Sequence, residues 1–169
     1  MKKILSVIIL VIMIFNIILP ASAVNTEAGE YDTVTLKAEA DTHIQGYSGA
    51  DTNHGKKTSM IVRGKYYRVG LVRFNLDKMP SDFTNAYLRL YKVSGGADEI
   101  GVGIGSNNWD ENSVTFNSYE TKVKQVEAIS YTEVSQTSGW VYFDVTSAFK
   151  EKQEQITFLI FDKEESDPL

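Results

Sequence analysis

The chain has 169 residues, 22 acidic against 17 basic side chains, a net charge of -5 and no cysteine. This balance excludes a general nucleic-acid binder, which needs a broad basic surface, and the missing cysteine excludes disulfides and thiolate chemistry. With 43% apolar residues and only three prolines, the chain is rich enough in core-forming side chains to fold rather than stay disordered.

In chain order, residues 1–23 come first. Lys2 and Lys3 are followed by an apolar run from Ile4 and then by Ala21-Ser22-Ala23. That order of charged, apolar and small residues is the pattern of a secretory signal peptide, with cleavage expected after Ala23. The apolar run approaches the length of a membrane span, but Pro20 and the small-residue site favour removal over a retained anchor. Residues 24–169 are then expected to be secreted, with no membrane attachment, as one extracellular domain.

After a polar leader, "VNTEAGEYD", short apolar runs alternate with Gly, Asn, Asp and Ser clusters. Strands are predicted over 33–38, 42–45, 60–64, 67–76, 86–93, 100–104, 114–116, 125–131, 140–145 and 156–161, each short and rich in Val, Ile, Thr, Tyr and Phe. The one helical hint is "TSAFKEKQEQ", where Thr146 or Ser147 is placed to cap a short turn. Short, regularly spaced strands with almost no helix predict an all-β fold, a jelly-roll β-sandwich of antiparallel strands.

Period two then assigns faces. In "VRFNL", Val72, Phe74 and Leu76 form the core set, leaving Leu71, Arg73 and Asn75 on the other face. In "NAYLRLY", Ala86, Leu88 and Leu90 point inward, so Tyr87, Arg89 and Tyr91 point out. In "SMIVRG", Met60 and Val62 point in while Ile61 and Arg63 point out. Arg68 has inward parity but sits at a strand entry, near the rim. All four arginines fall between residues 63 and 89, whereas the thirteen lysines are scattered. The rigid guanidinium fork matches a carboxylate in two parallel hydrogen bonds, so gathered arginines suit a planar anionic ligand. Arginines and tyrosines are also ordinary on exposed strands, where they discourage edge pairing, and alternation alone leaves that reading open.

Five pieces of the sequence are similar to one known family: "ADTHIQGYSGADTNHGKKTSMIVRG" at 40–64, "YRVGLVRFNLDKMP" at 67–80, "NAYLRLYKVSG" at 85–95, "NNWDENSVTFN" at 107–117 and "GWVYFDVTSAF" at 139–149. Together they resemble the DNRLRE-domain group of secreted bacterial and archaeal proteins, carbohydrate-binding module family 96. The resemblance implies a β-sandwich module, commonly attached to polysaccharide lyases and other surface proteins. It also implies a non-catalytic role in binding an acidic polysaccharide, alginate or a related uronate polymer, through basic side chains. By position those are Arg63, Arg68, Arg73 and Arg89; Tyr87 and Tyr91, outward by alternation, are expected to offer flat faces to sugar rings. The family's chains usually close with one further strand, whereas this one stops at "FDKEESDPL". A contracted last strand or a piece of a longer polypeptide, linked to catalytic or scaffold modules, is therefore expected.

Catalytic chemistry finds little support. His43 and His54 lie among turns, "GVGIG" at 101–105 is followed by no helix, and no nucleophile elbow or metalloprotease motif is present. Asp110 and Glu111 are adjacent and would point oppositely on a strand, so they do not flank a glycosidic bond. Trp109 is expected to anchor a loop, with "DENS" capping a turn. A structural calcium stays open: Asp41, Asp51 and Asp144 have the right ligand type, but no D-x-D-x-D-G loop exists and turn capping is their plainer use. Three alternatives to the acidic-glycan binder remain: a structural or adhesive spacer, a fragment of a hydrolase or lyase, and a neutral-glycan binder.

Overall fold

The computed structural model describes residues 8–12, 32–64, 67–96, 98–119 and 126–163. The expected cleavage site at Ala23 lies outside them, as does the start of the strand expected over 125–131. Nine strands are present among the described residues: β1 (Ile8–Ile12), β2 (Thr33–Lys37), β3 (Ala40–Gln45), β4 (Arg68–Asn75), β5 (Asn85–Lys92), β6 (Asp98–Gly105), β7 (Ala128–Val134), β8 (Gly139–Asp144) and β9 (Gln155–Asp162). They form two sheets, one ordered β2-β1-β5-β8 and one ordered β3-β4-β9-β6-β7. Every ladder is antiparallel. The chain is the all-β sandwich that its strand pattern predicts.

The main core lies between the sheets. Val72 and Phe74 of β4, Val102 of β6 and Ile156, Phe158 and Ile160 of β9 face Ala86 and Leu88 of β5 and Phe143 of β8. Leu36 of β2 joins the same cluster. Phe158 meets Phe74 edge-on at 6.1 Å and Phe149 at 6.4 Å, and Phe149 meets Phe83 at 5.7 Å. These offset aromatic contacts add to burial in closing the sandwich.

β9 explains why the five-stranded sheet has two apolar faces. Its run "QITFLIFD" is buried at every position from Ile156 to Phe161, the pattern of a strand covered on both sides. The second face carries its own cluster: Ala40, Ile44, Val69, Leu71, Leu159 and Phe161 beneath Trp109, Val114 and Tyr119. Trp109 is driven under by its ring, and its indole N–H donates to Thr157 Oγ1 at 3.0 Å, so burial leaves the indole donor paired.

This second cluster corrects the face assigned to Leu71 and Arg73. Parity puts them together as read from the sequence, but their face is roofed rather than open, and Leu71 is fully buried. Alternation shows that two faces differ; it does not show whether a loop covers the second. Two short strands are also absent. Residues 60–64 make only an isolated bridge, Arg63 opposite Arg68, and 114–116 belong to a turn in which Ser118 Oγ accepts from Thr115 N–H at 2.9 Å. After β8 the 3-10 turn Thr146–Phe149 is capped differently from expectation. Asp144 Oδ1 accepts the Thr146 N–H at 3.0 Å, while Thr146 Oγ1 accepts from Ala86 N–H at 3.0 Å and ties the turn to β5.

Candidate sugar-facing platform

β5 and β8 pair so that Tyr87 lies opposite Asp144, Arg89 opposite Tyr142 and Tyr91 opposite Trp140. Ala86 and Leu88 fill the core from the same strand, and so does Phe143 from β8. Side chains alternate across a strand, so Tyr87, Arg89 and Tyr91 of β5 and Trp140, Tyr142 and Asp144 of β8 emerge on the outer face of the sheet. Tyr91, Trp140 and Tyr142 keep 42–43% of their surface exposed. Tyr91 meets Trp140 edge-on, with centroids 5.1 Å apart and planes at 76°. The Arg89 guanidinium carbon sits 4.1 Å from the Trp140 ring centroid, within cation–π range.

Arg89 Nε is buried there without a hydrogen-bond partner. A buried charged donor left unpaired is costly and rare, and it marks a place where an acceptor is wanted. Beside the platform a shallow groove runs between β8 and β7, lined by Thr132, Glu133, Thr137, Gly139, Trp140 and Tyr142. Thr132 Oγ1 donates to Tyr142 O at 2.9 Å and holds the two strand edges together. The result is an exposed cluster of rings around one guanidinium, with a groove beside it. Such a surface can stack apolar ring faces and pair with an anion.

The other three arginines lie elsewhere, since β4 and β5 belong to different sheets. The single arginine face imagined from alternation therefore does not form. Arg73 is on the roofed face, with its side chain 17% exposed and paired with Glu39. It donates to Asn107 O at 2.9 Å and Trp109 O at 2.6 Å, and lies 4.9 Å from the Trp109 ring centroid. Arg63 and Arg68 are direct cross-strand neighbours, joined by two backbone hydrogen bonds of 3.1 Å at the entry to β4. Arg68 Nε donates to Gln45 Oε1 at 2.9 Å, and Arg63 is exposed. Near Arg68, His54 stacks on the buried His43, with ring centroids 4.2 Å apart and planes within 14°. Burial, then the charges of Lys57 and Arg68, hold His54 below its ordinary pKa.

Of the acidic residues read as candidate acid–base or calcium groups, Asp110 and Asp144 cap turns, while Glu111 and Asp51 tie distant loops together. Asp110 Oδ1 accepts from Asn112 N–H at 3.0 Å and Ser113 Oγ at 3.3 Å, as its sequence context predicted. Glu111 Oε1 accepts from the Asp41 N–H at 3.3 Å, and Asp51 Oδ1 accepts from Asn117 Nδ2 at 2.7 Å. Asn53 Nδ2 bonds to Glu111 O at 3.0 Å and Val114 O at 2.8 Å, stapling the two roof loops together. Among the described residues no three His, Cys, Asp or Glu side chains gather as a metal site, and no helix is long and apolar enough to cross a membrane.

Sequence reasoning found Tyr87, Arg89 and Tyr91 on an outer face but missed Trp140 and Tyr142. Alternation in "GWVYFD" separates them from Val141 and Phe143, and that signal was available. Only the β5–β8 register shows that they complete the same surface. In a scan of family models, the one described as carbohydrate-binding module family 96 matches residues 32–167. No curated protein and no solved structure matches the chain.

Proposed function

Because the chain belongs to carbohydrate-binding module family 96, whose common property is polysaccharide binding, we propose that it is a non-catalytic module for an acidic, uronate-containing polysaccharide of the alginate type. The observation that carries this reading is Arg89 set among Tyr91, Trp140 and Tyr142 on the open face of β5 and β8. The rings offer stacking surfaces to pyranose faces, while the guanidinium offers a paired-donor fork to a carboxylate. Arg63 and Arg68 supply a separate basic rim that a long polymer can meet. Secretion by the leader at residues 1–23 fits a polymer found outside cells, and attachment to catalytic or scaffold modules fits an open surface that does no chemistry itself.

The test is calorimetry of the protein against alginate, polygalacturonate and a neutral β-glucan at low and high salt. Binding to the uronate polymers that weakens with salt, through screening within about 8 Å at physiological ionic strength, is expected. Salt-insensitive binding to the β-glucan alone would replace this reading with a neutral-sugar platform built on the same rings.

A further inference from the structure

The Arg89 side chain is held differently from those of Arg68 and Arg73. Arg73 is fixed by Glu39 and by the carbonyls of Asn107 and Trp109, and Arg68 by Gln45. Among the described residues the Arg89 side chain makes no hydrogen bond and no ion pair, and its Nε is buried without a partner. What it meets is the Trp140 ring, with the guanidinium carbon 4.1 Å from the ring centroid. The acid that β8 places on this face, Asp144, lies on the diagonal opposite Tyr87, and its Oδ1 accepts the Thr146 N–H.

The choice of holder has a chemical consequence. Arginine is a long side chain with many rotamers, and a ligand that finds it mobile must order it on binding. A neighbouring carboxylate would order it in advance but would also neutralise its charge and occupy its donors, as Glu39 does for Arg73. An aromatic face attracts the guanidinium through the ring quadrupole and takes up none of its N–H groups. Trp140 can therefore fix Arg89 while leaving both its charge and its fork to a ligand.

From this we propose that Trp140 is a positioning residue: it presents the Arg89 guanidinium to a sugar carboxylate and adds to binding through Arg89, not by stacking on the sugar itself. The proposal rests on the uronate reading above and divides the work within that site. Tyr91 meets Trp140 edge-on at 5.1 Å and braces the ring. A pyranose on the Arg89 side of the indole would need the layer, about 4 Å deep, that the guanidinium already fills. Stacking then falls to Tyr142, which lies opposite Arg89, is 43% exposed and enters no ring contact among the described residues.

The test compares the parent protein with Trp140→Phe and Trp140→Ala, each with Arg89 present and with Arg89→Ala, by calorimetry against alginate per folded molecule. With Arg89 present, Trp140→Ala is expected to weaken binding about fivefold and Trp140→Phe to recover part of the loss, since a phenyl face still attracts a cation. With Arg89→Ala, all three side chains at position 140 should bind within about twofold of one another. Equal losses in both backgrounds would make Trp140 an independent stacking ring and overturn the proposal, as would parent-like affinity in Trp140→Ala. Should Arg89→Ala bind too weakly for comparison, nitrogen-15 relaxation of the Arg89 Nε decides. It is expected to report an ordered side chain in the parent and a mobile one in Trp140→Ala, and equal order in the two rejects the holding role. No alginate binding by the folded parent would remove the uronate reading and this proposal with it, whereas binding with independent losses removes the proposal alone.

Discussion

Two arginines in this protein each lie over a tryptophan ring, and they do opposite work. Arg73 is 4.9 Å from Trp109 and Arg89 is 4.1 Å from Trp140. Trp109 is 8% exposed and Trp140 42%. Arg73 is paired with Glu39 and with two loop carbonyls, so its donors are used within the fold. Arg89 Nε has no partner, and its aromatic neighbours face outward. The same pair of side chains is thus a loop latch on one sheet and, on the other, part of the exposed aromatic face proposed to meet the polysaccharide. What separates them is whether a loop packs over the face, because a guanidinium whose donors are satisfied internally has little left for a ligand.

The largest effect expected from breaking this comparison is at the latch. Trp109→Ala removes a buried ring and its bond to Thr157, and should cost about 3–5 kcal/mol of stability in urea unfolding. Arg73→Ala leaves Glu39 and the carbonyls of Asn107 and Trp109 short of a partner. It should cost about 2 kcal/mol, less than a fully buried pair because the site is partly wet, with sugar affinity per folded molecule unchanged. A large loss of affinity in folded Arg73→Ala would erase the division between the two sites.

On the platform the pattern should invert. Arg89→Ala is expected to leave the unfolding midpoint nearly unmoved while weakening uronate binding by about 1–3 kcal/mol in calorimetry. Arg89→Lys should recover only part of that, since an ammonium keeps the charge but loses the planar fork. Equal affinity for the arginine and lysine forms would reduce the interaction to simple charge attraction.

The smallest expected effect is a pH dependence at the histidine stack. His54 in the fold titrates below its ordinary 6.5, for reasons of burial first and the Lys57 and Arg68 charges next. The unfolded chain therefore takes up the proton first as pH falls. Stability from this group is complete above about pH 6.5 and declines below it. Urea midpoints at pH 7.5 and pH 5 should differ less in His54→Gln than in the parent protein.

Much of the fold was legible because two-residue periodicity reports which side chains share a face. It placed Ala86, Leu88 and Leu90 against Tyr87, Arg89 and Tyr91 correctly, and the core set Val72, Phe74 and Leu76. It failed at Leu71 and Arg73 because the second apolar face is roofed by loop residues such as Trp109 and Val114, far away in sequence. It read 60–64 as a strand from composition, whereas a strand exists only where a partner supplies the ladder, and there a single bridge forms. The platform was half legible: β5 could be read by itself, but its union with Trp140 and Tyr142 depends on a pairing between residues about fifty apart.

The sequence by itself determined the fold class, the alternation within each strand, the turn chemistry of Asp110 and the family, because these depend on residues near one another along the chain. The tertiary structure alone decided which arginines share a face, which tryptophan is buried and which strand completes the second sheet. Those are matters of register and coverage between distant segments, where one change of partner turns an exposed side chain into a buried one.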